Sequence, residues 1–454
     1  MTKRFFLIFY SILLIATSLY GQSSVILDEY IELALSSNLQ LRQTSLLKEQ
    51  QSSKLAQAKT LWNPQVDLST TYLIAEGGRK ILFPIGDLFN PAYLTLNQLT
   101  NSEQFPTNLE NVETQLTPNN FIDASLSITK PLINSAIKYN VLIQKALMDI
   151  PDLDMQQQRA EIAFQVRQAY YNYLKTERAQ ELLDNNLSLL SEVKTFNQKL
   201  IKYDKATPDI ISDVDYRLKR LQGEKEGLEQ QRSISRILLN TLMKRDIDIS
   251  IKSDDAALLT ISEERYQLDQ IIESALTNRS ELKKINISAG INELNKKRIE
   301  DSRLPTLGVQ GGIGLQVEEF SLDGGGPLYT LALNLGWNIW DGGTRKKQLQ
   351  ETQIIEEQQQ TLLELSSQQI TLEVAQAYYE LQSLYAKYDA EAEAITAAQI
   401  SYDAINRRYK NESALLIELL TAQNQLLTSQ LNHILIGIDV LIAQAKIKKV
   451  LHEN

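Results

Sequence analysis

The chain has 454 residues, a formal net charge of −10, no cysteine and two histidines, His433 and His452. The missing cysteines exclude a disulfide framework, and two histidines are too few for a His/Cys metal centre. The acidic balance disfavours a nucleic-acid partner. We expect no metal, no other cofactor and no nucleic acid.

Residues 1–21 have the layout of a secretory signal peptide. Lys3 and Arg4 precede an apolar run that ends at Ala16, and small and polar residues continue to Gly21. This order predicts export and cleavage near Gly21. We expect no later run to approach the roughly 18 to 20 apolar residues that a membrane helix needs. The exported chain is therefore expected to be soluble outside the cytoplasm or inserted as a β-barrel.

The sequence contains an internal duplication. The segment 163–174 recurs 208 residues later as 371–382, and both copies carry a Tyr-Tyr pair within long amphipathic helices. A unit of about 200 residues is longer than a solenoid repeat, so a pseudo-symmetric protomer is expected. The predicted parts are a first repeat at 22–243, a connection at 244–266 and a second repeat at 267–454.

Each repeat interrupts its helices with two stretches of period two, in which apolar and polar residues alternate. Such alternation is typical of strands with one apolar and one polar face. The predicted strands are 64–75 and 121–130 in the first repeat, and 305–318 and 328–340 in the second. A long segment, 76–120, separates the first pair and is interpreted as a loop with some packed structure.

Strands are expected to give way to helices at two corners. Pro131 closes the second strand, and the run Trp340-Asp341-Gly342-Gly343 closes the fourth. Glycines can adopt the positive φ that such a corner needs. The helices that follow each corner turn once, near Tyr203–Pro208 in the first repeat and near Tyr409–Ser413 in the second. The long helices on either side of these turns must pack laterally against similar helices.

The strand lengths suit a tilted membrane strand, which needs about 9 to 11 residues. A bilayer tolerates strands only in a closed barrel, because an open edge leaves unpaired N–H and C=O groups in hydrocarbon. Four strands cannot close alone, since bacterial barrels start at about eight. Several copies must therefore share one barrel, and closure alone allows a dimer, a trimer or a tetramer.

The tandem helix-strand-strand-helix order, the Trp340–Gly343 corner and the paired Val-x-Gln-Ala-Tyr-Tyr helices resemble TolC-like outer-membrane efflux proteins, the outer membrane factor family. The resemblance covers about Leu27 to Leu451. It implies a membrane α+β fold, in which a homotrimer forms a twelve-stranded β-barrel continuous with a long α-helical barrel. It also implies a passive exit duct for efflux or type I secretion, located in the outer membrane and extending into the periplasm. The implied partners are outer-membrane lipid, a periplasmic adaptor (membrane fusion) protein and an inner-membrane transporter of RND or ABC type.

The resemblance further implies an acidic constriction at the periplasmic helix turns. Aligning Tyr203 with Tyr409, at an offset of 206, places the acidic pair of the family on Glu418 and Thr421. The matching positions of the first repeat are Ser212 and Asp215, so each repeat keeps one acid. Our hypothesis is a ring of Glu418 with Asp215, and the alternative is that both are ordinary solvated residues. Ala414 stands where some relatives have an arginine latch, and Arg407, Arg408 or Lys410 could replace it.

Two other classes of protein were considered. A secreted coiled-coil structural or adhesive protein would explain the helices but not the four symmetric strands. An enzyme has little support, because no carboxylate belongs to a recognisable catalytic constellation with His, Cys or a motif glycine. We expect a protein without enzymatic activity.

Overall fold

A computed structural model describes residues 25–116, 120–254, 261, 266–318 and 326–451. The predicted signal peptide and its cleavage position lie outside these residues, as do most of the shorter strand-to-strand loop and part of the connection. The chain divides into two compact units. We call them the helical unit (residues up to 52, 146–291 and from 354 onward) and the sheet unit (53–145 and 292–353).

The elements of the second repeat recur in the same order in the first, which has in addition a strand-helix-strand insertion and a short helix and 3₁₀ turn before its long helix. The first repeat contains α1 (Val25–Ser37), α2 (Leu39–Thr60), β1 (Gln65–Ile74), β2 (Lys80–Phe83), α3 (Ile85–Thr100), β3 (Val112–Gln115), β4 (Asn120–Ile133), α4 (Ser135–Ala146), a 3₁₀ turn (Leu147–Asp149), α5 (Ile150–Lys202) and α6 (Asp209–Leu242). The second contains α7 (Leu268–Asn278), α8 (Ser280–Asp301), β5 (Thr306–Glu318), β6 (Pro327–Gly336), α9 (Thr344–Lys410) and α10 (Leu416–Leu451).

The duplication is visible in the buried core of the helical unit. Val166 and Val374, which are 208 positions apart, are both fully buried, and Tyr173 and Leu381, at the same offset, are both buried in their respective clusters. The Tyr170 ring packs edge-on against Tyr30 with centroids 6.2 Å apart. Burial of apolar side chains at helical spacing is the main stabilising contribution in such long helices.

Helix α10 corrects the expectation that no second apolar run approaches membrane length. It contains an 18-residue window with a mean hydropathy of 1.5, long and apolar enough to cross a membrane by length and composition. Its apolar residues instead take part in the cores of both repeats. Ile438 and Leu441 pack in the cluster around Tyr170, and Val440 and Ile447 pack in the cluster around Leu381. A helix packed on two sides needs apolar residues all round, which explains its composition.

The sheet unit is built on a four-stranded antiparallel sheet in the order β1-β4-β5-β6. The central pair, β4 with β5, joins the two repeats. The strands of each repeat are thus neighbours, and the duplication gives one continuous sheet.

Two predicted strand ends are corrected by the structure. Strand β4 continues through Pro131 to Ile133, because a register shift between these residues accommodates the missing proline N–H. Strand β6 ends at Gly336 rather than at Trp340, because its partner strand begins at Thr306, directly opposite Gly336.

The interpretation of 76–120 as a loop is also corrected. The segment contains a helix, α3, between two short strands, and β2 pairs with β3 from Lys80↔Gln115 to Phe83↔Val112. Pro91 lies inside α3. The sequence did not predict this helix, because a proline inside a helix removes a backbone hydrogen bond. Contacts of α3 with the returning segment stabilise the helix in spite of Pro91.

Candidate functional site

One face of the four-stranded sheet is apolar. Directly paired residues on antiparallel strands lie on the same face. The pairs Leu68↔Leu126 and Ile313↔Tyr329 place apolar residues of all four strands together. Within the single chain these side chains stay exposed: Leu68 is 77% and Leu331 82% exposed. The predicted alternation therefore produces a continuous apolar surface on one side of the sheet.

The opposite face is polar and lined with small residues. Ser69 pairs with Ser125, and Ser127 pairs with Gly312, which in turn pairs with Thr330. A Cβ added to Gly312 would lie 3.0 Å from the Thr330 Oγ1, so this face has little room for larger side chains on the central strand. A side-chain hydrogen bond of 3.1 Å joins Gln316 to Asp123.

The sheet has two open edges. Among the described residues, β1 pairs only with β4, and β6 pairs only with β5. A sheet with an apolar face and open edges cannot lie in a bilayer by itself. Closure by other copies would satisfy both edges.

The corner after β6 is organised by Asp341. Its carboxylate accepts hydrogen bonds from the backbone N–H groups of Gly343 and Arg345, both at 3.0 Å. The bond from the Arg345 N–H is the main reason why the pKa of Asp341 lies below its ordinary value. Gly342 and Gly343 have φ of 66° and 88°, which side chains rarely tolerate.

Trp337 and Trp340 flank the same corner. The Trp337 indole donates a 3.0 Å hydrogen bond to the Arg303 carbonyl, and Trp340 is 84% exposed. Exposed indoles are typical of membrane–water interfaces. Pro131, the candidate corner of the first repeat, lies within β4, and α4 begins at Ser135.

The helical unit contains two equivalent helix turns. They connect α5 to α6 (203–208) and α9 to α10 (411–415), and we call them the paired turns. In each, one residue has left-handed backbone geometry: Asp204 at φ 56° and Glu412 at φ 57°. The next N–H bonds back five residues, from Lys205 to the Leu200 carbonyl at 2.9 Å and from Ser413 to the Arg408 carbonyl at 2.8 Å. Both turns are thus Schellman-type helix ends.

This geometry changes the alignment of the two turns. Asp204 matches Glu412 at an offset of 208, the same offset as the Tyr-Tyr pairs, whereas matching Tyr203 to Tyr409 gives 206. At 208, Glu418 corresponds to Ile210 and Thr421 to Asp213. The correspondence of Ser212 and Asp215 with the pair Glu418 and Thr421 therefore rests only on the tyrosines.

The two tyrosines also occupy different environments. Tyr203 is 71% exposed and caps the end of α5, whereas Tyr409 is 8% exposed within the last turn of α9. Burial raises the pKa of Tyr409, whose hydroxyl donates a 2.6 Å hydrogen bond to Asn197 Oδ1. The Tyr409 ring also packs against Phe196, with centroids 5.7 Å apart.

An ion pair joins the paired turns directly. Lys205 Nζ lies 2.6 Å from a carboxylate oxygen of Glu412. Neither this ion pair nor the Tyr409–Asn197 hydrogen bond was predicted from the sequence. The sequence instead suggested Arg407, Arg408 or Lys410 as the replacement for the arginine latch of some relatives. Arg408 donates to the Ser413 carbonyl at 3.2 Å, within its own turn. The one signal in the sequence was that one of the two turns contains a base, Lys205, and the other an acid, Glu412.

The candidate acids differ in their partners. Asp215 lies 2.6 Å from Lys194 Nζ on α5, so its charge is compensated. Glu418 lies in the first turn of α10, is half-buried, and has no ion pair among the described residues. Ser212 is exposed in the first turn of α6. Among the described residues, no hydrogen bond or ion pair joins any two of these three side chains.

The chain was compared with known proteins. Residues 271–452 match the family model described as outer membrane efflux protein. No match was found among curated protein sequences.

Solved structures share the fold over nearly the whole chain. The outer membrane protein VceC from Vibrio cholerae is 14% identical, with a TM-score of 0.72 and coverage of 94% of this chain and 96% of VceC. The MtrE outer membrane channel of Neisseria gonorrhoeae is 15% identical, with a TM-score of 0.73 and coverage of 94% and 89%. The CmeC outer membrane channel of Campylobacter jejuni is 14% identical, with a TM-score of 0.72 and coverage of 94% and 86%.

These matches confirm the predicted fold and the predicted resemblance, and the matched family is one of channel proteins. Residues 271–452 are thus similar to the outer membrane efflux protein family, and the chain as a whole has the fold of these TolC-like outer-membrane channels.

Proposed function

We propose that this chain is a passive exit duct in the outer membrane, working as a homotrimer in a tripartite efflux or type I secretion system. Three copies would each contribute four strands to a twelve-stranded barrel, with outer-membrane lipid around it. The duct catalyses no reaction of its own, and its partner transporter supplies the energy.

The observation that carries the proposal is the segregation of the sheet into an apolar and a polar face, with both edges open. The apolar face, which includes Leu68 and Leu331, suits lipid. The face of serines, threonines and glycines suits a water-filled interior. The edges β1 and β6 are where neighbouring copies would pair.

The helical unit is the proposed periplasmic part. Its paired turns are the proposed contact region for a periplasmic adaptor protein and, through it, for an inner-membrane transporter of RND or ABC type. The support is the family match together with the equivalent turn geometry of the two repeats.

We further propose that Glu418 forms an acidic ring where the paired turns of three copies meet. A ring of carboxylates concentrates cations at a constriction. Glu418 suits this role because its charge is not compensated by an ion pair among the described residues. The contribution of Asp215 is expected to be smaller, since Lys194 already neutralises it.

The first test combines assembly with conduction. The mature protein, extracted from outer membranes in mild detergent, is expected to contain three chains per particle by light scattering after subtraction of the detergent. The same particles should form ion-conducting pores in a planar lipid bilayer. A monomer recovered from the aqueous fraction, without conductance, would overturn the duct proposal.

A second test addresses the ring. Glu418→Gln is expected to lower the preference for cations over anions, measured as the reversal potential across a salt gradient. Asp215→Asn is the matched control and should leave the reversal potential near the wild-type value. Equal effects of the two substitutions, or none from Glu418→Gln, would refute the ring.

A further inference from the structure

Helix α3, within the segment between β1 and β4, has two different faces. One face packs against the returning segment 105–111, and the other is exposed. Because Ile74 pairs with Asn120, this insertion leaves and re-enters the sheet at the same end. The insertion is attached to the strand pair β1–β4, and β1 is one of the two open edges of the sheet.

The packed face of α3 is joined to the returning segment by paired amide hydrogen bonds. The Asn90 amide donates to the Leu109 carbonyl at 2.9 Å and accepts from the Leu109 N–H at 2.8 Å. Seven residues later in α3, the Asn97 amide makes the equivalent pair of hydrogen bonds with Phe105: it donates to the Phe105 carbonyl at 2.7 Å and accepts from the Phe105 N–H at 3.0 Å. A Cβ on Gly86 would lie 2.1 Å from the Leu109 carbonyl oxygen, so the helix and the returning segment are in close contact.

The opposite face of α3 is an apolar stripe. Its residues are spaced by three and four positions, as in a helix that packs against another helix. The stripe consists of Ile85 (37% exposed), Leu88 (66%), Ala92, Leu96 (39%) and Leu99 (78%). We call these residues the α3 stripe. In the described chain its larger residues remain 37% to 78% exposed.

The charge of α3 argues against a lipid surface as the occupant. Helices that lie on membranes usually carry Lys or Arg on the polar face. Helix α3 has neither, and its one charged residue, Asp87, accepts a 2.9 Å hydrogen bond from the Asn111 amide. The face that would turn towards lipid headgroups is already occupied by the chain itself.

The dimensions favour other copies of this chain. Strands about 4.8 Å apart and tilted about 40° give a twelve-stranded barrel a radius of about 12 Å. Helix α3 has 16 residues, which corresponds to about 24 Å. Three such helices, attached at one end of the barrel, are long enough to meet at its axis.

We propose that the α3 stripes of three copies pack against one another and form a three-helix cap at this end of the barrel. The inference rests on the proposed trimer and adds an interface to it. The cap would cover the stripe in the same way as a three-stranded coiled coil covers its apolar seam.

Single cysteines test the cap cleanly, because the chain has none of its own. Leu88→Cys and Leu99→Cys lie on the stripe, where like residues of three copies come together. Mild oxidation of intact outer membranes is expected to convert most of either variant to disulfide-linked dimers on a non-reducing gel. Gln98→Cys is the matched control, since Gln98 is also exposed on α3 but lies off the stripe, and this variant should stay monomeric on the gel.

Light scattering of the same variants separates this inference from the proposed function. Three chains per particle without crosslinks at Leu88→Cys and Leu99→Cys would overturn the cap and leave the duct standing. Equal crosslinking of Gln98→Cys would overturn it as well. So would strong quenching by brominated lipid of a fluorophore attached at Leu99→Cys, because this would place the stripe in the bilayer.

Discussion

The helical unit and the sheet unit use apolar residues in opposite ways. Leu381 in α9 is fully buried by residues of the same chain, whereas Leu331 in β6 is 82% exposed. The helical unit builds its cores from both repeats and from α10, which packs in both. The sheet unit has an apolar face and two open edges that a single chain leaves uncovered.

The difference shows what each unit needs in order to be stable. A buried leucine contributes to stability in any aqueous buffer, because its neighbours are covalently part of the molecule. The leucines of the sheet contribute only when lipid or detergent replaces water. In the proposed trimer, the sheet is therefore the part of the chain that couples folding to membrane insertion and assembly.

The largest effect is expected from a cavity in the helical core. Leu381→Ala should destabilise the protein by about 2 to 5 kcal/mol, the usual range for a buried leucine. The measurement is the thermal midpoint of the helical circular dichroism signal in detergent. Leu365→Ala on the same helix is the control, since Leu365 is 57% exposed. Similar shifts for both variants would contradict the assigned core.

A charge on the apolar face of the sheet tests whether that face contacts lipid. Leu331→Lys should cost about 2 to 4 kcal/mol if the residue faces the bilayer midplane. The expected readout is a loss of assembled protein from the outer-membrane fraction. Thr330→Lys, the neighbouring residue on the polar face, should assemble and change only conductance. If the two variants behaved alike, the assignment of the faces would be wrong.

A smaller effect is expected from a buried polar contact in the helical unit. Tyr409→Phe removes the hydroxyl that bonds to Asn197 and leaves a buried amide oxygen without its donor. The cost should be about 1 to 3 kcal/mol. Tyr203→Phe is the control, because Tyr203 is 71% exposed. Denaturant midpoints of the two variants measure the difference, which should vanish if the Tyr409 bond contributes nothing.

The smallest effect is a pH dependence at Glu161. Burial raises the pKa of this carboxyl, but hydrogen bonds from Lys449 and Gln165 outweigh burial, and its pKa lies below the ordinary 4.5. Its stabilising contribution is thus present above pH 4.5 and is lost as the pH falls through the lowered pKa.

Glu161→Gln should remove this contribution. The half-exposed position of the pair limits the effect to below about 1 kcal/mol. Wild type should be the more stable protein at pH 7, and the two should converge as the pH falls below the lowered pKa of Glu161, by denaturant titration at each pH. A difference that stays constant from pH 7 to pH 3 would show that Glu161 acts through packing and not through its charge.

The sequence by itself determined the duplication, the faces of the strands and the positions of the helix turns. These features follow from local rules. Apolar residues every second position, as in Val66 and Leu68, place side chains on one face of a strand whatever it pairs with. A helix end with a left-handed residue, as at Asp204 and Glu412, depends on a few neighbouring residues.

Only the tertiary structure decided which distant residues meet. The end of β6 at Gly336 depends on where its partner β5 begins, 30 residues away, and the helix α3 depends on contacts with a segment that follows it. The Lys205–Glu412 pair joins residues 207 positions apart. No local pattern encodes such contacts, because their energy comes from packing between elements and not from the propensity of either segment.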